Sequence, residues 1–369
     1  MQAGTFIGPG VHKATISVAV AQGERGGEVG HWGTVPHRPD HVRSLAETLA
    51  VGGRRLCSCS EAGPCGYGLH RQLTEMGQDC IVVVPSLIPV TAGDRVKTDR
   101  RDAVMVAKLH RAGDLTAVWV PDAAHEAMRD LVRARATAMR VAGKARQHLQ
   151  GFLLRHGRIS PGKKGWTGAY RRWRAMVRFT HSAQQIVLQD YIDAVADAGA
   201  RVARLTGQIA ALLPGRSLVP VVDAVRAMRG VGVIVAGTVG AGVGDFRRFD
   251  TRGQPMAWLG LTPPEHSGGA SVRRGGITRA GSGLARRALT GGARSYRMQA
   301  RVSPKLLSRI EALPQAVRDI AWKGHLRMCR RSRHLVAAGK AKVVVITAIA
   351  REMVGFIWAI ARTTRPATA

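Results

Sequence analysis

An α/β domain followed by a mainly helical remainder is the fold the sequence predicts, and three observations predict it. Up to about Val120, short apolar runs alternate with helical stretches; between Glu126 and Gln208 the strand signals vanish; beyond Pro214 helical periodicity returns with many glycines. A chain of 369 residues also exceeds one ordinary core, so length alone predicts two or three domains. The expected division is 1–121, 122–216 and 217–369.

From Phe6 to Val20, FIGPGVHKATISVAV predicts two short strands around a turn, and GEVGHWGTVP, ending at Pro36, a third. A polar helix begins near Asp40. Then RRLCSCSEA (Arg54 to Ala62) reads as a buried strand, GYGLHRQLTEMG as a helix, CIVVVP (Cys80 to Pro85) as another strand and Thr98 to Ala112 as a further helix. Three antiparallel strands followed by βαβα is the order of a ribonuclease H-like sheet.

In the second region Leu188, Tyr191, Val195, Ala198, Val202, Leu205, Ile209 and Leu212 recur at alternating spacings of three and four. Such a seam suits a coiled coil or an antiparallel hairpin with the preceding helix, because a heptad does not say which partner fills it. Trp166, Tyr170 and Trp173 interleave with Arg171, Arg172 and Arg174, a composition that fits either base stacking or inter-helix packing. The third region opens with two apolar helices around Gly230-Val231-Gly232, a turn like that of a helix-hairpin-helix, whose amides can approach a phosphate.

Charge narrows the function. Lys and Arg total 56 against 24 Asp and Glu, a net +32 beyond what solubility requires, and a 45% hydrophobic content places that charge on folded domains. The expected partner is a polyanion. Between Phe246 and Val302 eleven arginines face two acids, and Lys323 to Arg351 holds eight basic residues and no acid. No stretch reaches ~18 uninterrupted apolar residues, and the N-terminus lacks a charged region leading into an apolar one, so no membrane partner and a cytoplasmic location are expected. Cys57, Cys59 and Cys65 lack a second cluster of zinc-ligand spacing and read as ordinary thiols.

Phosphodiester chemistry on such a sheet calls for carboxylates converging at strand ends. Glu61 closes its strand before a glycine-rich loop, and Asp99 and Asp102 share one face of an opening helical turn. Capping and surface ion pairs with Arg100 and Arg101 are the alternative. The segments SEAGPCGYGLHRQL, DRVKTDRRDA, LTAVWVPD, FLLRHGR, WLGLTPPEHSGG, RRGGITRAG, VRDIAWK and TAIAREMVGFIWAIA, in this order, resemble the DEDD transposases of the insertion sequence 110 family nearly end to end.

That resemblance implies a RuvC-like N-terminal domain with four acids binding magnesium (Mg2+), a helical linker and a C-terminal transposase domain bearing a nucleophilic serine. It implies a homo-oligomer, dimer or tetramer, exchanging DNA strands under the guidance of a structured RNA made from the element. Glu61, Asp99 and Asp102 match three of the acids. The first falls on Gly10 of Ile7-Gly8-Pro9-Gly10-Val11-His12-Lys13, which predicts impaired activity. The serine is assigned to Ser267, with His266 beside it; an ungapped alignment would place Gly268 there instead. Arg273, Arg274, Arg279, Arg286 and Arg287 are the expected nucleic-acid contacts. Two other outcomes stay open: a binding-only remnant of a transposase, and a metal-dependent nuclease or resolvase using the first domain alone.

Overall fold

The structure is a computed structural model describing residues 4–23, 26–51, 54–89, 98–162, 165–213, 219–268 and 271–364. Its contacts divide it into two compact units, Met1–Val120 and Pro121–Ala369.

In the first unit β1 (Thr5–Val11), β2 (Thr15–Gln22) and β3 (Val29–Pro36) form the expected antiparallel meander. After α1 (Pro39–Leu49), β4 (Leu56–Glu61) pairs parallel with β1, and β5 (Asp79–Val83), reached through α2 (Gly66–Glu75), pairs parallel with β4. The sheet order is therefore β3-β2-β1-β4-β5, the ribonuclease H-like order. Strand alternation sends Ile7, Ile16, Val18 and Leu56 to one face, where α1 and α2 bury them with Val42, Ala46, Leu69 and Leu73. The opposite face is shallow: Ala19, Ala21 and Cys59 meet Ala103, Val106 and Ala107 of α3 (Asp99–Ala112).

That shallowness has a cause in β1. A Cβ at Gly8 would collide with the Ala103 carbonyl and the Ala107 amide, so glycine is what lets α3 lie directly on the sheet. The helix begins where Thr98 caps it by accepting from the Arg101 amide at 3.3 Å, and it ends on left-handed Gly113.

The second unit starts with two long helices, α4 (Ala123–Arg155) and α6 (Ser182–Leu212), joined through the short α5 (Gly168–Met176). They run antiparallel. Leu149, Phe152 and Leu153 late in α4 pack with Leu188, Tyr191, Ile192 and Val195 early in α6, whereas Met128 and Val132 early in α4 share a cluster with Ile209 and Leu213. The partner of this a/d seam is α4 of the same chain, the hairpin alternative. Tyr170 is buried, with the partly exposed Trp166 and Trp173 tilted against it at 5.2 and 5.5 Å and Arg146 over Trp166, so these aromatics pack with one another.

The remainder comprises α7 (Val219–Val225), α8 (Val233–Val243), α9 (Gly253–Trp258), the hairpin β6 (Glu265–Gly268) and β7 (Ser271–Arg274), then α10 (Gly283–Ala293), α11 (Pro304–Ile310), α12 (Gln315–Ala337) and α13 (Lys342–Thr363). By length and composition α13 could cross a membrane, which the search for uninterrupted apolar runs missed because Arg351 and Glu352 break them. Here it is a core helix, burying Val345, Ile349, Met353, Val354, Ile357 and Ile360.

The turn between α7 and α8 has a packing role. Gly230 has φ +82°, and a Cβ there would strike the Gly292 carbonyl, while one at Gly292 would lie 2.6 Å from the Gly230 oxygen. This glycine pair serves close contact with α10.

Candidate active site

The three matched acids lie at one end of the sheet, on the α3 side. Alternation along β4 puts Leu56 among α1 and α2 and Cys59 against α3, so Glu61, two residues beyond Cys59, belongs to the α3 face. The parallel pairing of Ile7 with Ser58, carried three residues on at the same offset, brings Gly10 level with Glu61. Asp99 and Asp102 occupy the first turn of α3, where carboxylates suit the positive end of the helix dipole. Gly66 explains how α2 can start so near: its Cβ would fall onto the Glu61 carbonyl.

Asp99 Oδ1 lies 3.1 Å from His12 Nε2, with both side chains more than half exposed. Among the described residues no group of three or more His, Cys, Asp and Glu side chains is placed to hold a metal ion. Glu61, Asp99 and Asp102 are therefore not drawn together into such a group. Gly10 is regular β-strand paired with Ser17, its φ is not positive, and a Cβ there would meet Asp99 O at 3.5 Å and Ser17 Cβ at 3.7 Å, ordinary contact distances. The acids present do not close into a metal site, yet the place for a further carboxylate is sterically open beside Asp99.

The serine segment is an antiparallel hairpin where sequence suggested a loop. Two adjoining backbones clasp its base: Thr278 N donates to Thr262 O at 2.9 Å and Arg279 N to Gly260 O at 3.1 Å. The clasp is tight. Gly260 and Gly281 have φ of +63° and +62°, and a Cβ on either would collide with the facing backbone. Within the clasp Arg279 itself takes φ +60°, a strained value for a residue with a side chain, and its side chain is exposed. Buried Leu259 and Leu261 anchor the base, while Glu265 to Gly268 are exposed.

Ser267 stands opposite Val272, and its hydroxyl donates to Glu265 Oε1 at 2.9 Å. Glu265 was not singled out from the sequence, because only a strand places residues two apart on one face. The same alternation turns His266 to the other face, opposite Arg273, so the neighbour expected beside the serine is not on its side. A Cβ at Gly268 would meet nothing within 4 Å, so the other alignment is also sterically feasible.

The expected arginines divide. Arg273 and Arg287 are exposed; the Arg274 side chain lies outside the described residues. Arg286 is committed to the clasp, donating to the carbonyls of Leu259 at 2.9 Å, Gly281 at 3.3 Å and Ala280. Desolvation first, and then the charge of Arg279, lower its pKa.

Comparison with known proteins agrees with this architecture. A DEDD transposase profile, described as Transposase, matches residues 7–157, and a second, described as Transposase IS116/IS110/IS902 family, matches 222–308. A Sinorhizobium fredii protein, y4qE, that carries a transposase name is 46% identical over 98% of this chain and 90% of its own length. The transposase for insertion sequence element IS1533 of Leptospira borgpetersenii is 28% identical over 67% of this chain and 72% of its own. The family models and relatives define the class as a transposase, an enzyme that acts on DNA, in a group whose members generally use divalent metal ions. Within that class the chain belongs to the IS110 family.

Proposed function

We propose that this transposase exchanges DNA strands through a serine-phosphodiester intermediate, guided by a structured RNA from its own element. Ser267 Oγ attacks a backbone phosphorus, forming an O–P bond as the P–O bond to the departing deoxyribose breaks. Glu265 accepts the hydroxyl proton, and the leaving oxygen is reprotonated from solvent. Arg273 and Arg279 offset charge that builds on the phosphate. The observation that carries this reading is the Ser267–Glu265 hydrogen bond on an arm held out from the core. The excess of Lys and Arg over acids supports DNA and RNA as partners.

Glu61, Asp99 and Asp102 are the remaining family acids in this reading. Magnesium is the ion their complete set would take, by its preference for carboxylate oxygens. The residues present do not offer that set, so no step is routed through it. The three-part layout of 1–121, 122–216 and 217–369, a homo-oligomer (dimer or tetramer) and a cytoplasmic location complete the proposal.

The test is incubation of the chain with element-end DNA, the flanking RNA and magnesium, followed by a denaturing gel. Protein-linked DNA that disappears in Ser267→Ala is the expected result. A second reading, a binding-only remnant, is favoured by Gly10 alone; retention of nucleic acid with no adduct from any variant would select it. Metal-dependent cleavage without an adduct would select a nuclease.

A further inference from the structure

A basic cleft lies on α12, within the acid-poor stretch Lys323 to Arg351 and apart from the serine hairpin and the acids of the sheet. Its cavity, about 370 Å³, is lined by Arg327, Arg330, Arg331 and His334 alone. These residues follow the i, i+3, i+4, i+7 pattern of one helix face. One acid shapes it from beneath: Glu352 of α13, only 13% exposed, accepts from Arg327 Nε at 2.9 Å on one carboxylate oxygen, while its other oxygen lies 2.7 Å from Arg331 Nε as an ion pair. Both contacts use the Nε edge, which leaves the terminal nitrogens of each guanidinium for another anion. Arg330 is exposed and has no ion pair among the described residues.

An acid that bridges two arginines costs one unit of charge, so its placement is informative. A solvated charged face has no need of a nearly buried carboxylate, whereas an anion site benefits from guanidiniums fixed before the ligand arrives. The line of basic side chains from Arg327 to His334 spans roughly 10 Å of helix at ~1.5 Å per residue. That is the axial rise of about three phosphates along one strand of a duplex. An acidic peptide would want an apolar anchor as well, and the lining has none.

We propose that this cleft binds the phosphodiester backbone of a nucleic-acid duplex, with Glu352 as the positioning residue that presents Arg327 and Arg331. The proposal rests on the transposase reading only for the kind of ligand; it needs neither Ser267 nor the acids of the sheet.

The experiment is fluorescence anisotropy of the full chain with a random-sequence DNA duplex and, separately, an RNA hairpin, across a salt series. Arg330→Ala is expected to lower the slope of log affinity against log salt by about one. Arg330→Glu should weaken binding about tenfold at low salt. Arg333→Glu, the same charge change at an exposed residue of α12 outside the cleft, should weaken it less than threefold. Glu352→Gln makes the protein more positive and is nonetheless expected to bind more weakly. Loss on the DNA duplex alone, or on the RNA hairpin alone, identifies which nucleic acid occupies the cleft. Equal effects of Arg330→Glu and Arg333→Glu, or none from Arg330→Glu on either probe, overturn the site, and tighter binding by Glu352→Gln overturns the positioning role. Ser267→Ala, which tests the serine chemistry, should bind both probes like the native chain, so the two ideas fail separately.

Discussion

At the acidic end of the sheet, each candidate side chain grows from a regular element whose backbone is fixed by close packing, whereas the serine stands on an exposed two-stranded arm anchored only at its base. Gly8 under α3 and Gly66 against the Glu61 carbonyl admit no Cβ, so the positions of Asp99 and Glu61 follow from backbone contact. On the arm, Ser267 owes its orientation to strand alternation and to one hydrogen bond with Glu265. The first region is held by backbone contact and has glycine at position 10; the second carries the proposed Ser267–Glu265 pair on an exposed hairpin. Under the proposed function, a change at the sheet tests one side chain, while a change on the arm tests its local neighbours.

The largest expected effect tests the stiffness. Gly8→Ala should push α3 from the sheet and cost about 3–5 kcal/mol, in the upper range of point substitutions. Gly10→Ala, two residues away on the same strand and face, should cost less than ~1 kcal/mol because its Cβ meets only ordinary contacts. Chemical denaturation of both variants checks the contrast, and similar losses would mean that position 10 is not open.

Next comes the arm's share of nucleic-acid binding. Reversing Arg273, Arg274 and Arg279 to Glu should weaken affinity for duplex DNA by about a hundredfold at low salt, as three phosphate contacts each contribute ~0.9 to the salt slope. Ser267→Ala should leave affinity unchanged. If the triple variant binds as tightly as the native chain, the arm is not a nucleic-acid surface.

A smaller change should follow from Gly10→Asp. It places a carboxylate beside Asp99, level with Glu61, and should introduce magnesium-dependent thermal stabilisation and raise adduct formation about tenfold. Adding Ser267→Ala to it should abolish the adduct and keep the magnesium effect. Strong adduct from the native chain would show that three acids suffice.

Much of this was legible in the sequence because the physics is local. The two strands from Phe6 to Val20, the helix from Thr98 to Ala112 and the strand ending on Glu61 each lie within a residue or two of their observed bounds. The glycines were not legible in that way. Gly292 fits against Gly230 from a segment some sixty residues earlier, a packing requirement no local pattern carries. Glu265 escaped notice for a related reason: four-residue strands flanking glycines look like a loop, and only pairing reveals which side chains share a face.

The smallest effect expected concerns that shared face. Glu265→Gln keeps the shape of the side chain and its ability to accept from Ser267, but removes the charge that takes up the proton. General bases contribute ~10² to 10⁴ in rate when buried and well placed. This pair is exposed, where solvent can substitute, so a loss of roughly threefold to tenfold in the rate of adduct formation is expected, with nucleic-acid affinity unchanged or slightly higher because an acid has gone. His266→Ala points the other way along the strand and should change the rate less than twofold. Rates come from adduct time courses at saturating DNA, run across pH. If His266→Ala proves the more damaging, the hairpin must twist on binding DNA so that the histidine reaches the serine, and the arm is adjustable to a degree that the sheet end is not.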